Sequence, residues 1–194
     1  MATDTPAPRV RSDAARNRDR LRAAAAAAFE ASAGSTAVSL EGIARDAGVG
    51  IGTLYRHFPT REALVEEVYR AELGAVCDTA STLLATLPPA EALRAWMDRY
   101  GAFVAAKRGM AETLRALLSA GVASAPGETR QRIRAAVGEM LAAGAAEGTL
   151  RADVAADDVV VSLIGVFLAT AEAPDRDQAG RMLDLLVAGL RARA

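Results

Sequence analysis

The chain has 194 residues, a formal net charge of −1 and a hydrophobic fraction of 52% with only 4% aromatics. Its length suits one larger domain or two small ones, and its near-neutral total excludes a uniformly basic protein that coats nucleic acid. Alanine, 47 of the 194 residues, is the strongest helix former, so an all-α fold is expected.

In chain order, residues 1–12 read as a disordered basic arm with Pro6, Pro8, Arg9 and Arg11. A first helix is expected from near Asp13 to Ala33. Leu21, Ala25, Ala28 and Phe29 recur at i, i+4, i+7 and i+8, and Gly34 is a natural stop. Ser39 is a good N-cap for a short second helix with Leu40, Ile43, Ala44 and Ala47 on one face, which Gly48 ends. After the turn Gly48-Val49-Gly50-Ile51, a third helix is expected from about Gly52 to Phe58, with Pro59 ending it. Thr60 caps a fourth helix over 61–86, which Pro88 and Pro89 close.

Five more helices are expected: Glu91 to Arg108, Ala111 to Ala120, Glu128 to Glu147, a segment through Val159–Thr170, and Asp175 to Leu190. Val159–Leu168 also fits a buried strand, but no second strand exists to pair with it, so helix is preferred. The total is about nine helices. Its longest apolar run, Val159 to Ala169, is too short to cross a bilayer. The N-terminal arginines precede no apolar signal core, so no membrane partner and a cytoplasmic location are expected. One cysteine, Cys77, and one histidine, His57, exclude an intrachain disulfide framework and leave too few soft ligands for zinc. No metal and no cofactor are expected. Cys77 reads as a packed small hydrophobe.

Charge is uneven. Residues 1–61 carry +3 and residues 62–194 carry −4, so the N-terminal third is expected to meet a polyanion. Within it, Ser39 to Arg61 (SLEGIARDAGVGIGTLYRHFPTR) has the spacing helix, tight glycine turn, short helix, which is a helix-turn-helix. Leu54 and Phe58 must face a core with Phe29, Ile43 and Leu64. Thr53, Arg56 and His57 are left on the free face, with Tyr55 at its side.

This stretch resembles the DNA-binding signature of TetR-family transcriptional regulators. The resemblance lies in Ile43-Ala44, Ala47-Gly48-Val49, Gly52-Thr53-Leu54-Tyr55, His57-Phe58-Pro59 and Glu62-Ala63-Leu64. More loosely, Leu93-Arg94-Ala95-Trp96 and Lys107-Arg108-Gly109-Met110 resemble an SbtR-type C-terminal domain. The resemblance implies a three-helix head over residues 13–60 and a larger helical effector-binding and dimerisation domain over 61–194. It implies that Ser39 donates to a phosphate and that Ile51, Gly52, Thr53 and Arg56 face the major groove of double-stranded DNA. Arg56 is then placed to pair bidentately with guanine. Tyr55, His57 and Arg61 would hold phosphates, and Arg9, Arg11 and Arg16 would track the backbone. One departure is Gly50, where the family often has Ser. It costs a few tenths of a kcal/mol of cap stability and a phosphate contact. Direct readout then rests on Thr53, Tyr55 and Arg56.

A DNA reader alone does not need so large a second domain. Trp96, Met97, Tyr100, Phe103, Met110, Leu114, Met140 and Phe167 are either core packing or the lining of a pocket for a small-molecule effector of unknown identity. One short recognition helix reads few base pairs, so two copies on a two-fold axis are expected. The last two helices are apolar nearly all round and must be covered on every side. Val160, Ile164, Phe167, Leu168, Met182, Leu183, Leu186 and Leu190 are the candidate homodimer surface. No nucleophile–base pair, phosphate loop or acidic dyad is present, so no enzyme is expected. The expected function is a ligand-responsive DNA-binding regulator, a repressor released from a palindromic operator by an effector. The alternative is a regulator whose second domain answers to a protein partner.

Overall fold

The computed structural model describes residues 8–31, 38–107, 126–173, 175 and 177–192, with backbone alone at 8–12 and 126. Eight α-helices are present among these residues: α1 (Pro8–Ala31), α2 (Leu40–Asp46), α3 (Ile51–His57), α4 (Arg61–Leu84), α5 (Pro89–Ala106), α6 (Pro126–Ala146), α7 (Ala156–Ala169) and α8 (Gln178–Leu190). No strand is found among them; a single antiparallel bridge joins Leu150 to Arg191. Val159–Leu168 is therefore helical, as its lack of a pairing partner demands. The expected helix over Ala111–Ala120 and the expected stop at Gly34 lie outside the described residues.

The first helix begins five residues before the expected Asp13. Pro8 is its first residue, where the missing N–H costs nothing and the fixed φ is already helical. Residues 8–12 of the expected arm thus belong to α1. Elsewhere the caps act as read. Ser39 Oγ accepts from Gly42 N at 3.2 Å, and Thr60 Oγ1 accepts from Ala63 N at 3.1 Å. Gly48 adopts φ +64°, a left-handed conformation that favours glycine. There the chain leaves α2 while Val49 N still reaches Ala44 O at 2.9 Å.

The described helices fall into two compact units. The first holds α1–α3 and the start of α4, up to Tyr69. Its core is Leu21, Ala25, Phe29, Ile43, Ala44, Ala47, Leu54, Phe58, Leu64, Val65 and Val68. The second holds the rest of α4 and α5–α8. There α5 packs on α6, α7 and α8, and α7 packs on both α6 and α8.

In the second unit the aromatic residues gather around α5. Trp96 stacks on Tyr100 at 5.5 Å and 10°, and Tyr100 meets Phe103 at 6.3 Å and Phe167 at 6.0 Å. The buried indole donates Nε1–H to Val76 O at 3.1 Å, which satisfies its single donor. Arg94 fastens α5 to α8, donating from Nε to Asp184 Oδ1 at 2.6 Å and from Nη2 to Gly180 O at 3.3 Å.

After α6 the chain turns back tightly on itself. Gly144 O accepts from Thr149 N and Leu150 N at 2.9 and 3.0 Å. A Cβ at Gly144 would lie 2.5 Å from Leu150 Cγ and 2.8 Å from its Cβ. Because the Leu150 Cβ is fixed to the backbone, Gly144→Ala is expected to cost about 1–3 kcal/mol of stability through overpacking. Chemical denaturation of wild type and variant checks this.

Candidate nucleic-acid interface

The site is built from the first unit's core outward. Leu54 on α3 and Phe58 at its C-cap are 0% and 2% exposed, as the helix-turn-helix pattern requires. They anchor a seven-residue helix whose length is only about 10 Å. Its opposite face is open: Ile51, Gly52, Tyr55 and Arg56 are exposed, while Thr53 and His57 are half-buried. Ser39 is exposed at the start of α2. Its oxygen is occupied by the cap to Gly42 and it donates to Glu41 Oε2 at 2.8 Å. A hydrogen bond from the Glu41 backbone N–H and, second, the Ser39 hydroxyl hold the Glu41 carboxyl below its usual range, so Ser39 meets an ionised neighbour at neutral pH.

Two arginines brace this unit. Arg61 donates to Val38 O and lies over the Phe29 ring, 5.6 Å from its centroid. Arg18 donates to Glu67 Oε2 at 2.9 Å and lies 5.6 Å from the Phe58 centroid. Cation–π contact of this kind contributes about 0.5–1 kcal/mol at exposed sites. Arg61, expected to hold a phosphate, is thus engaged inside the head, where it ties the start of α4 to the loop before α2. No sequence signal marks this use, because the partner is a backbone carbonyl 23 residues away. Arg16 is exposed and pairs with Asp13 one turn earlier. The side chains of Arg9 and Arg11 lie outside the described residues.

At the start of α3, Gly50 stands at the N-cap with no side-chain bond, so the departure noted in the sequence leaves the backbone donors there uncapped by a hydroxyl. A Cβ at Gly50 or at Gly52 would meet nothing within 4 Å. The glycines leave α3 bare at the end that faces outward.

The second unit divides its candidate residues. Trp96, Met97 and Met140 are 0% exposed and Tyr100 and Phe103 nearly so. With Phe167, they form part of the packed interior just described. Met110 and Leu114 lie outside the described residues. Of the candidate dimer residues, Val160, Leu183 and Leu190 are buried in their own unit. Ile164, Phe167, Met182 and Leu186 are half-buried, and Leu168 is 67% exposed. Val161 and Leu185, on the same two helices, are 54% and 73% exposed. Along α7, Val161, Gly165 and Leu168 follow at i, i+4 and i+7, one uncovered apolar stripe. Cys77 is buried, and burial pushes its thiol up to about 11, which keeps it protonated and inert.

A short helix held outward by a helix-turn-helix core, in a chain that also carries a helical second unit, defines a DNA-binding regulator of the helix-turn-helix class. Residues 21–68 match the family of bacterial regulatory proteins called the tetR family, and residues 88–192 match the C-terminal domain of SbtR-like transcriptional regulators. The chain is 46% identical to a TetR transcriptional regulator of Streptomyces coelicolor, covering 91% of this chain and 99% of that one, with a TM-score of 0.73. It is 36% identical to a TetR transcription regulatory protein of Mycobacterium vanbaalenii, covering 94% and 99%, with a TM-score of 0.65. RolR in complex with resorcinol shares the fold at 18% identity, covering 94% and 91%, with a TM-score of 0.66. No curated protein matches the chain.

The chain belongs to the TetR family: it is a DNA-binding transcriptional regulator and not an enzyme. Among the described residues, no helix is long and apolar enough to cross a membrane.

The bare start of α3 makes a separable prediction. Gly52→Ala is expected to stabilise the protein by up to about 1 kcal/mol, since alanine is the better helix residue and space is open. The same methyl is expected to weaken DNA binding by intruding on the close approach. Thermal denaturation and DNA-binding assays on one preparation check both halves.

Proposed function

We propose that this regulator acts as a homodimer that reads a palindromic operator, represses there, and is released by a small-molecule effector in the cytoplasm. Ser39, Ile51, Gly52, Thr53, Tyr55, Arg56 and His57 form the DNA face, with Arg56 as the base reader and Arg61 bracing from behind. One observation carries this reading: α3 keeps Arg56 and Tyr55 exposed on a helix whose other face is locked into a core. Such a helix enters a major groove as a rigid body, and a bidentate arginine–guanine pair discriminates by about 1–3 kcal/mol.

Dimerisation is supported by the uncovered stripe of Val161 and Leu168 on α7 and by exposed Leu185 on α8. Gly165 and Gly189 have nothing within 4 Å of a built Cβ, so another helix can come close. An isologous contact across these two helices would bury the stripe and set two recognition helices on one two-fold axis. Effector control is supported by the family's helical second domain and by RolR, which holds resorcinol in the same fold. An effector that binds one spacing of the two heads better shifts the population toward that spacing. One observation favours control by a protein partner instead: Trp96, Met97 and Met140 are fully enclosed by protein, and such a core leaves a ligand nothing to fill until it opens.

Two experiments test the reading. Selection of duplex DNA by the full chain at two salt concentrations is expected to return two inverted half-sites. Arg56→Ala is expected to relax one position in each half-site and cost about 1–3 kcal/mol. A steep salt slope without sequence preference would contradict base readout. In sedimentation, the paired change Leu168→Glu and Leu185→Glu is expected to turn a dimer into a folded monomer with unchanged helicity, because both side chains are already exposed. A wild type that sediments as a monomer would sink the dimer proposal.

A further inference from the structure

The second unit carries a charged cleft that the reading above does not use. Along α6, Gly127, Arg130, Gln131 and Arg134 stand at i, i+3, i+4 and i+7, so they share one face. With Asp157, the second residue of α7, they line an open cleft of about 470 Å³. That volume lies within the range of small-ligand sites. Among the described residues, a Cβ at Gly127 would meet nothing within 4 Å.

The charges in the cleft do not balance. Arg130 Nε lies 3.3 Å from Asp157 Oδ1, and Arg134 Nη1 lies 3.4 Å from Asp157 Oδ2. Charge-assisted N–H to carboxylate bonds settle at about 2.7–2.9 Å. One carboxylate is therefore shared between two guanidiniums, one oxygen to each. Each guanidinium presents five N–H donors in a planar fork, and Asp157 meets one nitrogen of each. The trio carries a net positive charge, and the Gln131 side-chain amide beside it supplies further donors.

We infer that this cleft binds a small oxyanion, a phosphate monoester being the best fit, held by Arg130 and Arg134 in competition with Asp157. A tetrahedral dianion has three outward oxygens, which matches two forks and an amide better than a single carboxylate does. Asp157 then acts as an internal competitor: it holds the arginines in place when the cleft is empty and yields to a group of higher charge. The inference is independent of how the head reads DNA.

Titration calorimetry of the full chain with inorganic phosphate and, separately, with a simple alkyl phosphate tests it, with sodium chloride and acetate at matched ionic strength as controls. Saturable binding of both phosphates is expected, and tighter binding of the alkyl phosphate would identify an esterified ligand over free phosphate. The paired change Arg130→Gln and Arg134→Gln is expected to weaken binding at least about tenfold, as loss of charge-assisted bonds implies. DNA selectivity should persist in that variant. Asp157→Asn is expected to tighten binding several-fold, because it removes the competitor and keeps the shape. A purely structural ion pair would make Asp157→Asn neutral or harmful and would bind no phosphate. Phosphate binding that survives the arginine changes, or that weakens in Asp157→Asn, overturns the inference. Each arginine changed singly, both being about half exposed, guards against a paired variant that fails to fold.

Discussion

The seating of Leu54 and Phe58 in the core of the first unit is the constraint on which the DNA-facing surface depends. A seven-residue helix has too few internal bonds to persist alone. Its direction is therefore set by burial, and these two side chains, almost fully removed from water, decide which residues remain outside. Every outward residue of α3 owes its position to them. The two bracing arginines work to the same end. Arg18 lies over Phe58 and reaches Glu67, and Arg61 lies over Phe29 and reaches Val38 O. They join α1, α4 and the loop before α2 around the aromatic edges of that core. The head is thus a rigid mount, and a rigid mount is what base readout by one short helix requires.

The second unit solves a different problem. Its aromatic residues are few, and all four are spent together: Trp96, Tyr100, Phe103 and Phe167 meet around α5. Alanine-rich helices bury little area per residue, so concentrating large rings in one place gives the bundle a centre. Around that centre the inner faces of α7 and α8 are filled by Val160, Leu163, Leu183 and Leu190. What remains outward on the same helices is still apolar. In the proposed homodimer a second copy would cover that face.

Much of this was legible in the amino-acid order. Alanine content, the Ser39 and Thr60 caps, the glycine turn at Gly48 and the prolines at 59, 88 and 89 determined an all-α chain with a helix-turn-helix near its start. The local signals suffice there because caps and turns act through neighbours within four residues. Around α3 the choice between inner and outer face was largely legible, since Leu54 and Phe58 lie four residues apart on one face; only the fold leaves the equally apolar Ile51 outside.

Other assignments needed the tertiary structure. In α7 and α8 nearly every position is apolar, so periodicity carries no direction, and only packing placed Val160, Leu183 and Leu190 inside and left Val161, Leu168 and Leu185 out. Arg61 reads as one more exposed cation until the fold brings Val38 O and the Phe29 ring beside it. Arg130 and Arg134 are a common surface pair on one helix until α7 sets Asp157 between them. The sequence by itself determined the helices and the DNA-facing motif, because those rest on local propensity and on a clear amphipathic period. The tertiary structure decided which apolar faces stay open and which arginines share a partner, because those depend on residues brought together from distant parts of the chain.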